Sequence, residues 1–294
     1  MRPASPKPST FPVPIQPRRQ ASAAARPKVT RLQTIYRQGE RSEIITTAHA
    51  ILEGATKPPV LVERLEDVDP ASDFTFVNLP EPELCLGQLV RLCARALPYW
   101  YPELDRLMDV QVLAPMHKGV CGIGNLNEQL REALNPGAES LQALGNTFAV
   151  GDKVIQTRNN YDKGLFNGDL GRVLSIDSAS RTLTAEFDGD PHLFESGELS
   201  ELAPAYAISI HKSQGSEFPV VVMALLKAHL VLLHRNLLYT GITRGRRKVF
   251  VLGDPAAYAM AVRNAQAAER HTGLRGLLAS PEAGNNGFTE ESSR

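Results

Sequence analysis

Cysteine is scarce. The 294 residues contain three, Cys85, Cys93 and Cys121, none in Cys-x-x-Cys spacing. A disulfide framework and a thiolate zinc site are therefore not expected, and a reducing compartment is the default. An excess of charge is lacking too: 32 Lys and Arg balance 32 Asp and Glu, so the net charge gives no sign of a polyanionic partner. No apolar run reaches the roughly 20 residues of a membrane helix. The basic N-terminus lacks the continuous apolar stretch of a secretory signal. These absences predict a soluble, cytoplasmic chain without a membrane partner.

What remains is globular in character, with 43% hydrophobic residues and a mean hydropathy of −0.19. By length, about two domains are expected. The balanced total hides an asymmetry. Residues 1–31 carry Arg2, Lys7, Arg18, Arg19, Arg26, Lys28 and Arg31 and no acid. Residues 1–28 are dense in Pro, Ser, Ala and Arg, cannot bury enough apolar surface to offset ordering entropy, and read as a disordered tail.

Order is expected from Val29, with a strand through Ile35 and a helix capped by Ser42 and running to Leu52. A strand at Phe74 to Val77, a helix from Glu83 to Leu97 and a buried strand from Asp109 to Ala114 follow. Residues Asn125 to Leu134 form an amphipathic helix with Leu126, Leu130, Ala133 and Leu134 on one face. Over 147–200 the pattern changes to short strands separated by Asn159-Asn160, Asn167-Gly168-Asp169 and Asp188-Gly189-Asp190, with Asn167-Gly168 a hairpin signal. The alternation of strand and helix resumes at Tyr206. The predicted class is α/β, a parallel sheet flanked by helices with a small β module inserted. The divisions are a tail at 1–28, an α/β domain in two parts at 29–146 and 201–279, the β module at 147–200 and a flexible tail at 280–294.

Polar residues concentrate in 205–254, at the ends of apolar strands. An α/β sheet commonly presents its ligand site at the carboxyl edge, and the same is expected here. Asn236, Thr240, Thr243 and Arg244 recur at helical spacing, which puts Arg244 on a packed helix with its guanidinium free to meet a phosphoryl group. Lys153, Arg158, Lys163 and Arg172 of the β module fit either a solvated charged surface or a nucleic-acid contact. Gly241 and Gly245, taken as helical, would soften that helix by about 1 kcal/mol each relative to alanine.

The run Ala205-Tyr-Ala-Ile-Ser-Ile-His-Lys-Ser-Gln-Gly-Ser-Glu-Phe-Pro219 resembles motif V of superfamily 1 DNA helicases in its RecD-like form. Residues 236–244 resemble motif VI, and Leu32-Gln-Thr-Ile-Tyr-Arg-Gln38 resembles motif IV. Val112-Leu-Ala-Pro-Met-His-Lys-Gly119 with Asn125-Leu-Asn127 is similar to the strand and helix that follow in that family. Val150-Gly-Asp-Lys-Val-Ile-Gln-Thr-Arg-Asn-Asn-Tyr-Asp-Lys-Gly164 and Phe166-Asn-Gly-Asp-Leu-Gly171 resemble its inserted SH3-like barrel. The resemblance implies a RecA-like second motor domain, with ATP and Mg²⁺ as cofactors and single-stranded DNA as partner. It implies 5′→3′ translocation in DNA repair or recombination.

By that resemblance Arg244 and Arg37 are arginine fingers. Gln38, Gly215, Glu217 and Arg244 contact the nucleotide, Glu217 through the ribose. His211, Ser213, Gln214, Lys118 and Thr240 meet DNA, with His117 beside Lys118. A helicase of this kind also needs Gly-x-x-x-x-Gly-Lys-Ser/Thr and a Mg²⁺-binding acidic pair. Gly151-Asp-Lys153 has neither the upstream glycine nor the hydroxyl. The expectation is the second motor domain with its barrel, inactive alone, needing a P-loop domain or chain as partner. A non-enzymatic single-strand-binding or regulatory module and a protein-interaction adaptor stay open as alternatives.

Overall fold

A computed structural model describes residues 42–143 and 145–265. The expected tails, the strand at Val29, and Arg37 and Gln38 lie outside the described residues.

The centre is a six-stranded parallel sheet. Its strands are β1 (Leu61–Val62), β2 (Phe74–Asn78), β3 (Val110–Ala114), β11 (Ala207–Ser209), β12 (Phe218–Leu225) and β13 (Gly245–Gly253), in the order β1-β2-β13-β12-β3-β11. The sequences Phe-Thr-Phe-Val, Val-Gln-Val-Leu-Ala and Val-Val-Val-Met-Ala-Leu are nearly continuous apolar runs, as a sheet covered on both faces requires. Alternation sorts them: Val220 and Val222 join one core, Val221 and Met223 the other.

Helices fill both faces. α2 (Pro82–Arg91), a π turn (Leu92–Ala96), α3 (Leu97–Trp100) and α4 (Ile123–Leu134) cover the first through Leu89, Leu92, Leu97, Leu126 and Leu130. α1 (Glu43–Glu53), α5 (Arg235–Ile242) and α6 (Pro255–Arg263) cover the second through Ile44, Ile51, Leu237, Leu238 and Tyr258. The helix expected from Glu83 to Leu97 thus extends to Trp100 and is interrupted. Pro98 has no amide hydrogen for the carbonyl four residues back, and the wider π turn just before it accommodates that defect. Ser42 does hold the N-cap position of α1, yet its hydroxyl donates to Asp73 (2.7 Å), and the Asp73 carboxylate accepts from the Glu43 amide (2.9 Å). The cap is a tertiary one.

Between α4 and β11 the chain leaves the α/β layers. β4 (Ser140–Ala143) and β5 (Asn146–Ala149) form a hairpin. β6 (Lys153–Gln156), β7 (Leu170–Asp177), β8 (Thr182–Phe187), β9 (Asp190–Phe194) and β10 (Leu202–Pro204) form an antiparallel sheet ordered β10-β6-β7-β8-β9. Its own core contains Phe148, Val154, Val173, Leu183, Phe187 and Phe194. Asn167-Gly168 makes a turn inside the long excursion from β6 to β7, not a two-residue hairpin. Asp188-Gly189 is the tight one, joining β8 to β9 with φ of 51° and 91°, the left-handed pair a right-twisted hairpin favours.

Polar groups fasten this module to the sheet. The Lys153 ammonium is fully buried on the carbonyls of Leu107 (2.8 Å) and Val110 (3.1 Å). Burial lowers its pKa to about 7. Arg172 pairs with Asp105, and the Tyr206 hydroxyl donates to Asp152 (2.7 Å). Of the four cations that sequence left between solvent and nucleic acid, Lys153 and Arg172 therefore serve the seam. Lys163 pairs with Glu198 at 2.5 Å, and Arg158 is exposed, its guanidinium donating to Ser200 at 3.2 Å.

Candidate nucleotide and nucleic-acid site

Glu217 and Arg244 stand at the amino edge of the sheet, each one residue before its strand, not at the carboxyl edge that the strand-end pattern suggested. β12 and β13 are neighbours, with Phe218 opposite Gly245 and the Phe218 amide donating to the Arg244 carbonyl at 2.8 Å. Glu217 is half-buried and ion-paired to the Arg246 Nε at 3.3 Å.

Arg244 is not on the helix. α5 ends at Ile242, Thr243 is its C-cap, and Arg244 follows in the link to β13. Its guanidinium donates to the Ser216 carbonyl (Nη1, 2.9 Å), the Thr240 carbonyl (Nε, 3.2 Å) and the Thr243 hydroxyl (Nη2, 3.3 Å). Two of these groups belong to the last turn of α5, where a cation is favoured by the exposed carbonyls and the helix dipole. Thr240 is half-buried and contributes its carbonyl here.

Only Gly241 is helical, near the end of α5. Gly245 lies in β13, where a Cβ would come 2.3 Å from Val249 Cγ2. A Cβ at Gly241 would come 2.8 Å from Met223 Sδ, so this glycine lets α5 sit close on the sheet.

From β11 the chain crosses the sheet beneath α5 to reach β12. His211, Lys212 and Gln214 are exposed along this crossover, and Ile210 is buried in the core. Ser213 is fully buried, its hydroxyl donating to the Ile210 carbonyl at 2.7 Å, so it shapes the turn and does not face solvent. Gly215 has φ of 90°, a conformation side chains resist. His211 lies at the carboxyl-edge end, close enough to His234 that their charges interact. Burial and that interaction both lower the His234 pKa. The His234 Nδ1 caps α5 by accepting from the Leu237 amide at 3.0 Å. The crossover and α5 thus both run from one sheet edge to the other, with His211 and His234 at one end and Ser216 and Arg244 at the other.

Lys118 is exposed in the loop after β3, also at the carboxyl edge. The loop folds back so that the carbonyls of Met116 and His117 accept from the Ile123 and Gly124 amides at 3.0 and 3.2 Å. A Cβ on Gly122 would lie 2.5 Å from the Lys118 carbonyl carbon, so the close turn requires glycine.

Sequence reasoning missed Asn127 as a positioning residue. Its amide accepts from the Ala207 N–H (2.9 Å) and donates to the carbonyls of Ala207 (2.8 Å) and Ile123 (2.9 Å), holding the edge strand β11 from which the crossover departs. The only signal was a polar residue within the motif-bearing helix.

The family model of the ATP-dependent RecD-like DNA helicase SH3 domain matches residues 126–187, and that of the UvrD-like helicase C-terminal domain matches residues 204–252. The ATP-dependent RecD2 DNA helicase of Deinococcus radiodurans is 36% identical over 254 residues, which are 86% of this chain and 32% of that protein. The chain is a homologue of the RecD-like helicases. A second relative, the RecBCD enzyme subunit RecD of Mycolicibacterium smegmatis, is 33% identical over 257 residues, covering 85% of this chain and 44% of that protein. The chain therefore spans less than half the length of either relative. Among solved structures, the Pif1 helicase from Bacteroides in complex with ADP-AlF3 and ssDNA is 17% identical with a TM-score of 0.44, covering 75% of this chain and 51% of that one.

Arg244 and Glu217 place a cation and a carboxylate on one edge of the sheet. Among the described residues no group of three His, Cys, Asp or Glu side chains is placed to hold a metal ion. No described helix is long and apolar enough to cross a membrane.

Proposed function

We propose that this chain forms the second motor domain and barrel of an ATP-dependent 5′→3′ RecD-like DNA helicase, acting in the cytoplasm on single-stranded DNA. The observation that carries the reading is the edge-to-edge arrangement. Arg244 and Glu217 stand at one end of the crossover and α5, the exposed His211 and Lys118 lie at the carboxyl edge, and the exposed Gln214 lies on the crossover between.

In this reading Arg244, with Arg37, meets the γ-phosphoryl group of ATP as charge builds on it, a task suited to a planar, permanently charged fork. Glu217 accepts from the ribose, and Gln38 and the Gly215 backbone complete the nucleotide contacts. His211, Gln214 and Lys118 hold DNA phosphates. Ser213 and Thr240 act on the strand indirectly, by fixing the turn and the helix end. A P-loop domain or chain supplies the phosphate cradle and Mg²⁺ ligands.

Two measurements on the purified chain test this. Single-stranded DNA should bind with an affinity that falls steeply with salt, and DNA should stimulate no ATP turnover until a P-loop domain of a RecD-like protein is added. Mg²⁺-dependent turnover by the chain alone would overturn the division of labour. Binding without any turnover in the reconstituted mixture would favour a non-enzymatic module.

A further inference from the structure

A groove of about 390 Å³ lies between the α2–α3 segment and the 3-10 turn at Leu65–Asp67 that follows β1. Its apolar surface comes from Leu65, Ala96, Tyr99 and Trp100, and Arg91, Arg95 and Glu66 add charge. The Trp100 ring rests against Phe250 with centroids 6.2 Å apart, so the floor is anchored in the core. Tyr99 is 84% exposed, and beside Ala96 and Trp100 it belongs to a shared apolar lining rather than standing alone.

Arg91, Arg95 and Tyr99 recur every four residues along one side of the helix. Arg91 holds the Glu66 carboxylate at 2.6 Å. Arg95 is exposed and forms no side-chain hydrogen bond or ion pair among the described residues. The groove therefore presents aromatic surface, one guanidinium already shown to take a carboxylate, and a second with none. Trp, Tyr and Arg are the residues that dominate binding energy at protein interfaces.

The groove is also remote from the turns assigned to DNA. Lys118 and His211 follow β3 and β11, four and five strands from β1 in the sheet order, roughly 19–24 Å at the usual strand spacing. A strand held at those turns does not pass through it.

We propose that this groove is a docking site for an acidic peptide segment of a partner protein, one apolar side chain seated between Tyr99 and Trp100 and flanking carboxylates on Arg95 and the rim. The proposal is independent of the nucleotide chemistry above.

The test is a fluorescence-anisotropy titration of the full chain with a labelled peptide of glutamates flanking one phenylalanine, against a counterpart with glutamines. The acidic peptide should bind at least about tenfold more tightly, and Arg95→Glu and Tyr99→Ala should each weaken it by about tenfold. A lysine-flanked peptide should prefer the Arg95→Glu chain to the wild type, a reversal that misfolding cannot produce. Equal binding of the acidic and neutral peptides, or no binding, would overturn the proposal. So would displacement by an oligothymidine strand, which would mark a nucleic-acid site. Binding that emerges only after removal of residues 280–294, which carry Glu282, Phe288, Glu290 and Glu291, would overturn it in favour of the chain's own terminus.

Discussion

The Arg244 guanidinium donates to the Ser216 carbonyl at 2.9 Å, joining the end of one motif-bearing segment to the end of the other. Its remaining contacts fall on Thr240 and Thr243. The side chain is thus held in place before any ligand arrives, and a phosphoryl group would find an oriented cation at low entropic cost.

Arg244→Ala should lower the melting stability of the chain by about 1 kcal/mol, the scale of a few partly exposed hydrogen bonds. In an assembly completed by a P-loop domain it should reduce ATP turnover by roughly 10³-fold or more, the usual worth of an arginine finger. Arg244→Lys should recover little, because one ammonium cannot reach the carbonyls of Ser216 and Thr240 in the same geometry. Steady-state ATPase assays and thermal melts check both outcomes.

Asn127→Ala leaves both Ala207 backbone groups without their side-chain partner. Removing these buried bonds should cost about 2–3 kcal/mol and weaken single-strand binding without touching an exposed residue. Asn127→Asp should be no milder, since it keeps the acceptor, loses both donations and adds a buried charge. Denaturant melts paired with anisotropy titrations separate the effects.

Gly245→Ala should destabilise the chain by about 1–3 kcal/mol, because the new methyl meets Val249 and must displace packed core. A helical position would instead have gained about 1 kcal/mol. The sign of the change in urea midpoint therefore distinguishes strand from helix.

Lys153 gives the seam a pH dependence. Its folded pKa, about 7, lies below the ordinary lysine value of 10.5 because burial disfavours the ammonium. Between those values the unfolded chain binds more protons, so stability rises with pH, by up to about 1.4 kcal/mol per unit. Below about pH 7 both states are protonated and the full penalty applies. Lys153→Met should remove this contribution, so the stability difference between variant and wild type should shift steadily from pH 7 to 10.5 in urea titrations.

Much of the α/β sheet was legible because it is local. Val110–Ala114 and Phe218–Leu225 are apolar runs that only a buried strand satisfies, and the amphipathic repeat of α4 needs no partner to be recognised. The motif residues were legible for the same reason: His211, Glu217 and Arg244 sit in short runs whose order along the chain is informative. What failed were inferences needing a third element. The α1 cap belongs to Asp73, thirty residues away in chain terms. Lys153 looked like a surface cation until the sheet closed over it.

Sequence alone determined the class of fold, the resemblance to RecD-like helicases and the identity of the motif residues. Tertiary structure decided which edge each of them occupies. It put Glu217 and Arg244 before their strands, buried Ser213, and converted Arg244 from a helical residue into a helix-end clamp on Ser216. The physical reason is that residue type and spacing are local properties, whereas direction and partner depend on how parallel strands are ordered. That order brings β12 beside β13 across intervening chain that no short pattern spans.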